Sequence, residues 1–285
     1  VLLNQRINFS SAATASSVAN AGAAAGGAGQ NGGRDRAADG KPGLERITGP
    51  GPFSMESETY DSGRLASHER MKAANLTLNQ ASGTLVARGP GWIERIGPGS
   101  AMQKLPGASN APANGAANAP AGPGLIYLKV DFQNAMRANL ADRQVDCQEQ
   151  VRIVYGPITA WTQIVDPDRL GPQDVWMRCD SVTVREMQNG AAKAHELDAA
   201  GDVQIEGARF DASAARLLYD DAKDWLILEG DGRIDAVLKQ RGNAGESQPQ
   251  VAARKINYWI KEDRVKFEDL RAVDAGTIPT SRRRP

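Results

Sequence analysis

Only two cysteines and two histidines occur in 285 residues, aromatic side chains make up 5%, and 34 basic residues cancel 34 acidic ones. Each shortage removes a class of function. Cys147 and Cys179 match neither a metal-site spacing nor a CxxC redox motif, and they read as two free, half-buried thiols, with a disulfide the alternative in an oxidising compartment. His68 and His195 stand far apart, outside any HxxxH or HExxH pattern, and read as polar residues on a solvated strand face. No GxSxG elbow is present, and the glycines near Gly26 and Gly29 lack the strand and helix of a phosphate loop. A formal charge of zero gives no global pull toward nucleic acid or an anionic membrane. No run approaches the ~20 apolar residues of a membrane-spanning helix. We therefore expect no catalytic set, no metal site and no cofactor.

What the chain does contain is a repeat. Ala74 to Gly89 lies without gaps over Ala215 to Gly230, and a third copy, Arg254 to Glu268, places Ile256, Tyr258, Val265 and Phe267 where the second has Leu217, Tyr219, Leu226 and Leu228. Every copy follows one plan: apolar residues two apart, a polar turn, then apolar residues two apart again, which is strand, turn and return strand. Leu217 and Ile256 are separated by 39 positions, so the C-terminal half advances by a multi-strand layer at a time. A lone hairpin cannot hide its apolar face, whereas adjoining ones bury theirs jointly. Asp220, Asp221 and Asp224 fall where the first copy has Asn79, Gln80 and Gly83. That alignment favours turn chemistry over calcium binding.

Between the copies, Leu125 to Phe132, Val145 to Tyr155 and Ile158 to Val165 read as further strands, and Ala135 to Asp142 shows a brief helical period that Asn134 could cap. The five tryptophans are spread over candidate strands and read as cross-strand packing partners. Ser10 to Lys41 and Gly107 to Gly124 are rich in Ala, Gly, Ser, Asn and Pro with no apolar face, so we expect flexible segments there. The expected organisation is residues 1–42 as a disordered N-terminal segment, 43–101 as an N-terminal β-repeat portion, 102–124 as a low-complexity insertion, 125–275 as a C-terminal β-repeat portion and 276–285 as a basic tail. The fold class expected is all-β.

Gly201 to Gly207, Phe210 to Ala214, Leu217 to Asp220, Leu226 to Gly230 and Ala252 to Trp259 together resemble the repeat of the OstA or LptA-like lipopolysaccharide-transport family. The likeness is best over Met177 to Val273 and recognisable over Ile47 to Ile96. It implies an open antiparallel β-jelly roll built from repeated strand-turn-strand layers, with an interior that carries acyl chains. The residues expected to face that interior are Leu76, Leu78, Leu85, Val182, Val184, Val203, Ile205, Leu217, Tyr219, Leu226, Leu228, Ile256, Tyr258, Val265 and Phe267. If the sheets close tightly these form a sandwich core; if they splay, they line a groove. The resemblance further implies a non-enzymatic protein of the periplasm or cell envelope whose partners are lipopolysaccharide or another amphipathic lipid and, through strand-edge docking, other envelope transport proteins, with no nucleic acid. The alternative is a β-scaffold that polymerises or docks edge to edge, and a carbohydrate-active β-helix would need a carboxylate pair that does not stand out. The chain begins at Val1, so a signal lost by truncation or processing is expected.

Overall fold

The computed structural model describes residues 4–11, 46–49, 51–79, 81–98, 124–171, 173–189, 192–207, 210–241, 250–262 and 264–274. These residues form seventeen strands and no helix. In chain order they are β1 (Asn4–Ser11), β2 (Arg46–Gly49), β3 (Phe53–Asp61), β4 (Arg64–Ala73), β5 (Asn75–Asn79), β6 (Thr84–Arg88), β7 (Gly91–Pro98), β8 (Leu125–Phe132), β9 (Ala135–Asn139), β10 (Gln144–Ile158), β11 (Val175–Asn189), β12 (Ala192–Gly207), β13 (Phe210–Asp220), β14 (Trp225–Glu229), β15 (Ala236–Gln240), β16 (Gln250–Trp259) and β17 (Arg264–Asp274). All pairings are antiparallel. The all-β expectation holds.

The ladder runs as two walls. The first follows β2, β5, β6, β9, β10, β11, β12, β13, β14, β16 and β17. The second follows β1, β3, β4, β7, β8, β10, β11, β12, β13, β15, β16 and β17. The long strands β10 to β13, β16 and β17 thus belong to both. Where they pass from one wall to the other the register slips, between Gln148 and Val151, Arg178 and Ser181, Ala200 and Val203, and Ala252 and Ala253. Bulges of this kind bend a strand sharply. Glu149, Gln150, Asp202 and Asp269 there hold left-handed φ values of 64°, 48°, 42° and 52°, costly for residues with a Cβ and tolerated because the ladder on either side fixes them.

Each wall is apolar on its inner side because the side-chain period of a strand is two. In the first wall, Leu76, Ala87, Met136, Cys147, Val182, Ala199, Leu217, Leu228, Ile256 and Phe267 stand directly opposite one another from strand to strand. In the second, Met55, Met71, Ile93, Val130, Ile153, Met177, Ile205, Ala212, Leu238 and Val251 do the same. Members of both rows belong to one hydrophobic cluster. The walls therefore close upon each other as a sandwich over much of their length.

Three expectations need correction. Asn4–Ser11, inside the segment read as a disordered N-terminus, is a strand paired residue by residue with β3. Ile7 and Phe9 alternate there, too briefly to register against the low-complexity stretch that follows. Residues 135–142 are strand β9 and a turn, not a helical piece, because both edges of β9 are held by β6 and β10. After Ile158 the chain leaves the sheet, and residues 159–171 with 173–174 form a strap whose Trp161, Val165 and Leu170 pack with Ile96, Tyr127, Val154 and Ile158 on the outside of the second wall. The other flexible segments expected, residues 12–41 and 107–123, and the basic tail 276–285 lie outside the described residues.

Candidate functional site

The three sequence copies become the hairpins β5–β6, β13–β14 and β16–β17. In each, the equivalent residues face inward, with Leu76 opposite Ala87, Leu217 opposite Leu228 and Ile256 opposite Phe267. Because β14 also pairs with β16, setting Leu228 opposite Ile256, the second and third copies lie side by side in one wall. The polar ends behave as the alignment suggested: Asp220 Oδ1 accepts from the Lys223 amide at 3.1 Å, and the Asp224 amide donates to the Asp221 carbonyl at 3.3 Å. The β14 and β16 tryptophans Trp225 and Trp259 are direct cross-strand partners, 6.0 Å between ring centroids and 10° from parallel, on the outer side.

The interior gathers nearly all the residues expected to line it. Leu76, Val182, Val203, Ile205, Leu217, Tyr219, Leu226, Leu228, Ile256 and Tyr258 are buried members of the common cluster, and Leu85, Val184, Val265 and Phe267 pack against it half-buried. Leu78 is half-buried at the margin. What the sequence reading missed is the contribution of the second wall, Phe53, Met71, Phe132, Val151, Ile153, Tyr155 and Met177, all buried. Alternation in β10 and β11 was a signal for several of them. Alanines 87, 199 and 253 are also fully enclosed, but a side chain of one carbon carries little hydropathy and escapes a search for Leu and Ile.

Cys147 and Cys179 are free and buried rather than half-buried, and they flank the bulge that carries β10 and β11 from wall to wall. Burial pushes both thiols up to about 12, with Asp146 adding to the effect at Cys147 and the neighbouring thiol and Asp180 adding at Cys179. Thiolate is the reactive form, so both should be silent. We expect the folded chain to resist iodoacetamide at pH 8 and to take up two labels once unfolded in urea, as read by intact mass. The sign of the linkage follows: both native pKa values are raised, so the stability these thiols contribute is complete below 9.0 and is lost as pH rises toward about 12. Rapid labelling in native buffer would show that the bulge opens.

Of the histidines, His68 Nε2 sits 2.7 Å from Glu56 Oε1, an ion pair across β3 and β4 when the ring is protonated. His195 is half-buried beside Leu197 in the inward register of β12, with Nδ1 enclosed and without a hydrogen-bond partner. Around it the rim of the first wall turns polar. Arg143 pairs with Glu186 at 2.5 Å, and buried Asp224 accepts a hydrogen bond from the Tyr219 hydroxyl at 3.4 Å and meets Lys261 Nζ at 3.3 Å. The arrangement is an apolar interior with an ionisable lip.

Residues 173–264 match the family model described as LptA/(LptD N-terminal domain) LPS transport protein. The match runs from the approach to β11 to the first residue of β17 and takes in strands β11 to β16 whole. No curated protein matches the chain. The OstA or LptA-like relationship read from the repeat is thus supported over this segment by the family model and by the fold.

Proposed function

We propose that this chain is a non-enzymatic module of the cell envelope that binds or relays lipopolysaccharide or a similar amphipathic lipid, holding acyl chains between the two walls. The observation that carries the reading is the unbroken inward row from Leu76 to Phe267, crossing ten strands without a charged residue, within a fold of which residues 173–264 match a lipopolysaccharide-transport family. Each methylene moved from water to such a surface contributes ~0.8 kcal/mol, so several chains together give firm capture. Partners would meet the ladder at its ends. Among the described residues β17 pairs with β16 alone, β1 with β3 alone and β2 with β5 alone, leaving strand edges that another envelope protein can extend.

The closed interior bears on how the reading is tested. Leu228 is fully enclosed, so Leu228→Ala would cost stability as a cavity, ~2–5 kcal/mol, and confound a binding measurement. Phe267 is half-buried on the terminal strand and is the cleaner probe. We expect Phe267→Ala to weaken capture of purified lipopolysaccharide about tenfold while lowering stability by about 1–2 kcal/mol. His68→Ala should leave capture unchanged. If the unmodified chain takes up no lipopolysaccharide under conditions where an established carrier does, the reading fails.

A further inference from the structure

The outer face of the first wall carries a hollow of about 280 Å³ across β11 to β14, just below the ~300–1,000 Å³ of sites for drug-sized ligands. Two outward rows cross it, Thr183, Asp198, Leu218 and Ile227 in one and Arg185, Glu196, Asp220 and Trp225 in the other, each residue directly opposite the next. The floor is apolar: Leu218, the Trp225 ring and Ile227, which is only 9% exposed although it points away from the interior. The rim is charged and balanced, Arg185, Arg216 and Lys223 against Glu196, Asp198 and Asp220. Arg216 closes a two-pronged fork on Asp198, Nε to Oδ1 at 2.9 Å and Nη2 to Oδ2 at 2.7 Å, and the Lys223 ammonium reaches Asp220 at 2.5 Å. Trp225 belongs to a column in which Arg264 lies 4.3 Å from the Trp259 ring, Trp259 stacks on Trp225, and Lys223 lies 5.9 Å from Trp225. The face of Trp225 turned from Trp259 is thus covered by one long side chain, 65% exposed, that can swing aside. The Trp225 Nε1–H is enclosed without a hydrogen-bond partner, a cost that a purely structural tryptophan ordinarily avoids.

We propose that this hollow is a saccharide site that binds a neutral pyranose ring of a glycan. Three cations against three carboxylates exert no net pull on a phosphate or an amine, so a free ion is not the ligand. The strands β11 to β14 have both edges paired along the first wall, so no backbone edge is open here to an added peptide strand. A sugar ring needs what the hollow offers. Its axial C–H groups are faintly positive and rest on the negative face of an indole, while its hydroxyls each donate and accept. Asp198 with Arg216 presents an acceptor and a donor in one plane, and Glu196 opposite Arg185 repeats the pair on the neighbouring row. Leu217 and Leu228 face the other side of the same sheet, so the site stands apart from the interior and from the carrier reading. A pyranose reaches this face as the saccharide of an amphiphile or as a separate glycan, and the recognition chemistry is the same for both.

The test uses the full chain and two probes: polysaccharide freed of lipid from lipopolysaccharide by mild acid, and dextran, a glucose polymer foreign to the envelope. Saturation-transfer NMR reads contact between the protein and the sugar protons, and calorimetry gives the affinity. Lipid-free glycan should bind with a Kd near about 1 mM. Asp198→Asn, which opens the fork, and Trp225→Leu, which removes the platform, should each weaken binding at least about tenfold. Asp198 is half-exposed, so its variant keeps the fold even where Trp225→Leu loses it. Phe267→Ala, on the inner side, should leave glycan binding unchanged. Binding of the polysaccharide alone supports the site with the amphiphile's own saccharide as its ligand, and equal binding of dextran supports it as a general hexose site. Full affinity in Asp198→Asn, a loss in Phe267→Ala, or no binding of either glycan overturns the outer site. Capture of intact lipopolysaccharide decides the carrier reading separately.

Discussion

Leu228→Asp should abolish cooperative folding at room temperature. Leu228 is fully enclosed, set between Leu217 on one neighbouring strand and Ile256 on the other, and nothing cationic belongs to that row. An unpaired carboxylate there costs several kcal/mol or must stay protonated at neutral pH. With ordinary domains stable by only ~5–15 kcal/mol, most or all of the margin disappears. Urea titration followed by far-ultraviolet circular dichroism would show no folded baseline, or a midpoint displaced far downward. Ile234→Asp is the matched control, since Ile234 is 49% exposed in the loop before β15 and should tolerate the charge within about 0.5 kcal/mol. A normal midpoint for Leu228→Asp would show that this row does not face an enclosed space.

The second large effect is expected at the bend. Gly201 has φ of 77°, and a Cβ there would overlap the Asp180 carboxylate and come within 2.6 Å of the Asp180 Cβ. Gly201→Val therefore meets two penalties, the left-handed backbone of a β-branched residue and a contact that only backbone movement relieves, together about 3–5 kcal/mol. A double-mutant cycle separates them. Pairing Gly201→Ala with Asp180→Gly removes the overlap and leaves the backbone strain, so about half of the Gly201→Ala loss should return. Full recovery would mean that φ at this site is free to change; none would mean that the two residues do not meet.

The repeat is legible because hydrophobic spacing is local information, and that spacing alone places Leu217, Tyr219, Leu226, Leu228, Ile256 and Tyr258 on one face. What spacing does not encode is the bend. The bulges at Glu149, Gln150 and Asp202 put left-handed backbone on residues with side chains, where a sequence search looks for glycine. Without them β10 to β13 read as long strands of one sheet, and the second wall goes unseen. The same blindness explains Phe53, Met71 and Ile93: each alternates correctly, but only the long-range pairing of β4 with β7 and β7 with β8 shows which side is inward. The strap after Ile158 misled for the opposite reason, because Trp161, Ile164 and Val165 have strand composition while Pro167 and the aspartates around it bend the chain away. Asp168 donates its amide to the Asp166 side chain at 3.0 Å in that turn.

The wiring of the ladder also orders events in time. From β10 onward each strand pairs with the one that follows it in the chain, or the next but one, so contacts form between residues that are close along the polymer. Ahead of β10 the partners interleave, β6 waiting for β9 and β4 for β7. Loop closure slows as the separation grows, which makes the C-terminal half the fast part of the folding reaction and the N-terminal strands its late arrivals. On a ribosome the order of synthesis runs the other way. The strands made first can pair among themselves, β3 with β4 and β5 with β6, but β6 keeps one edge open until β9 emerges, and β8 and β9 keep theirs until β10 does, an interval in which a chaperone that shields those edges and the apolar inner faces would govern the yield of native protein.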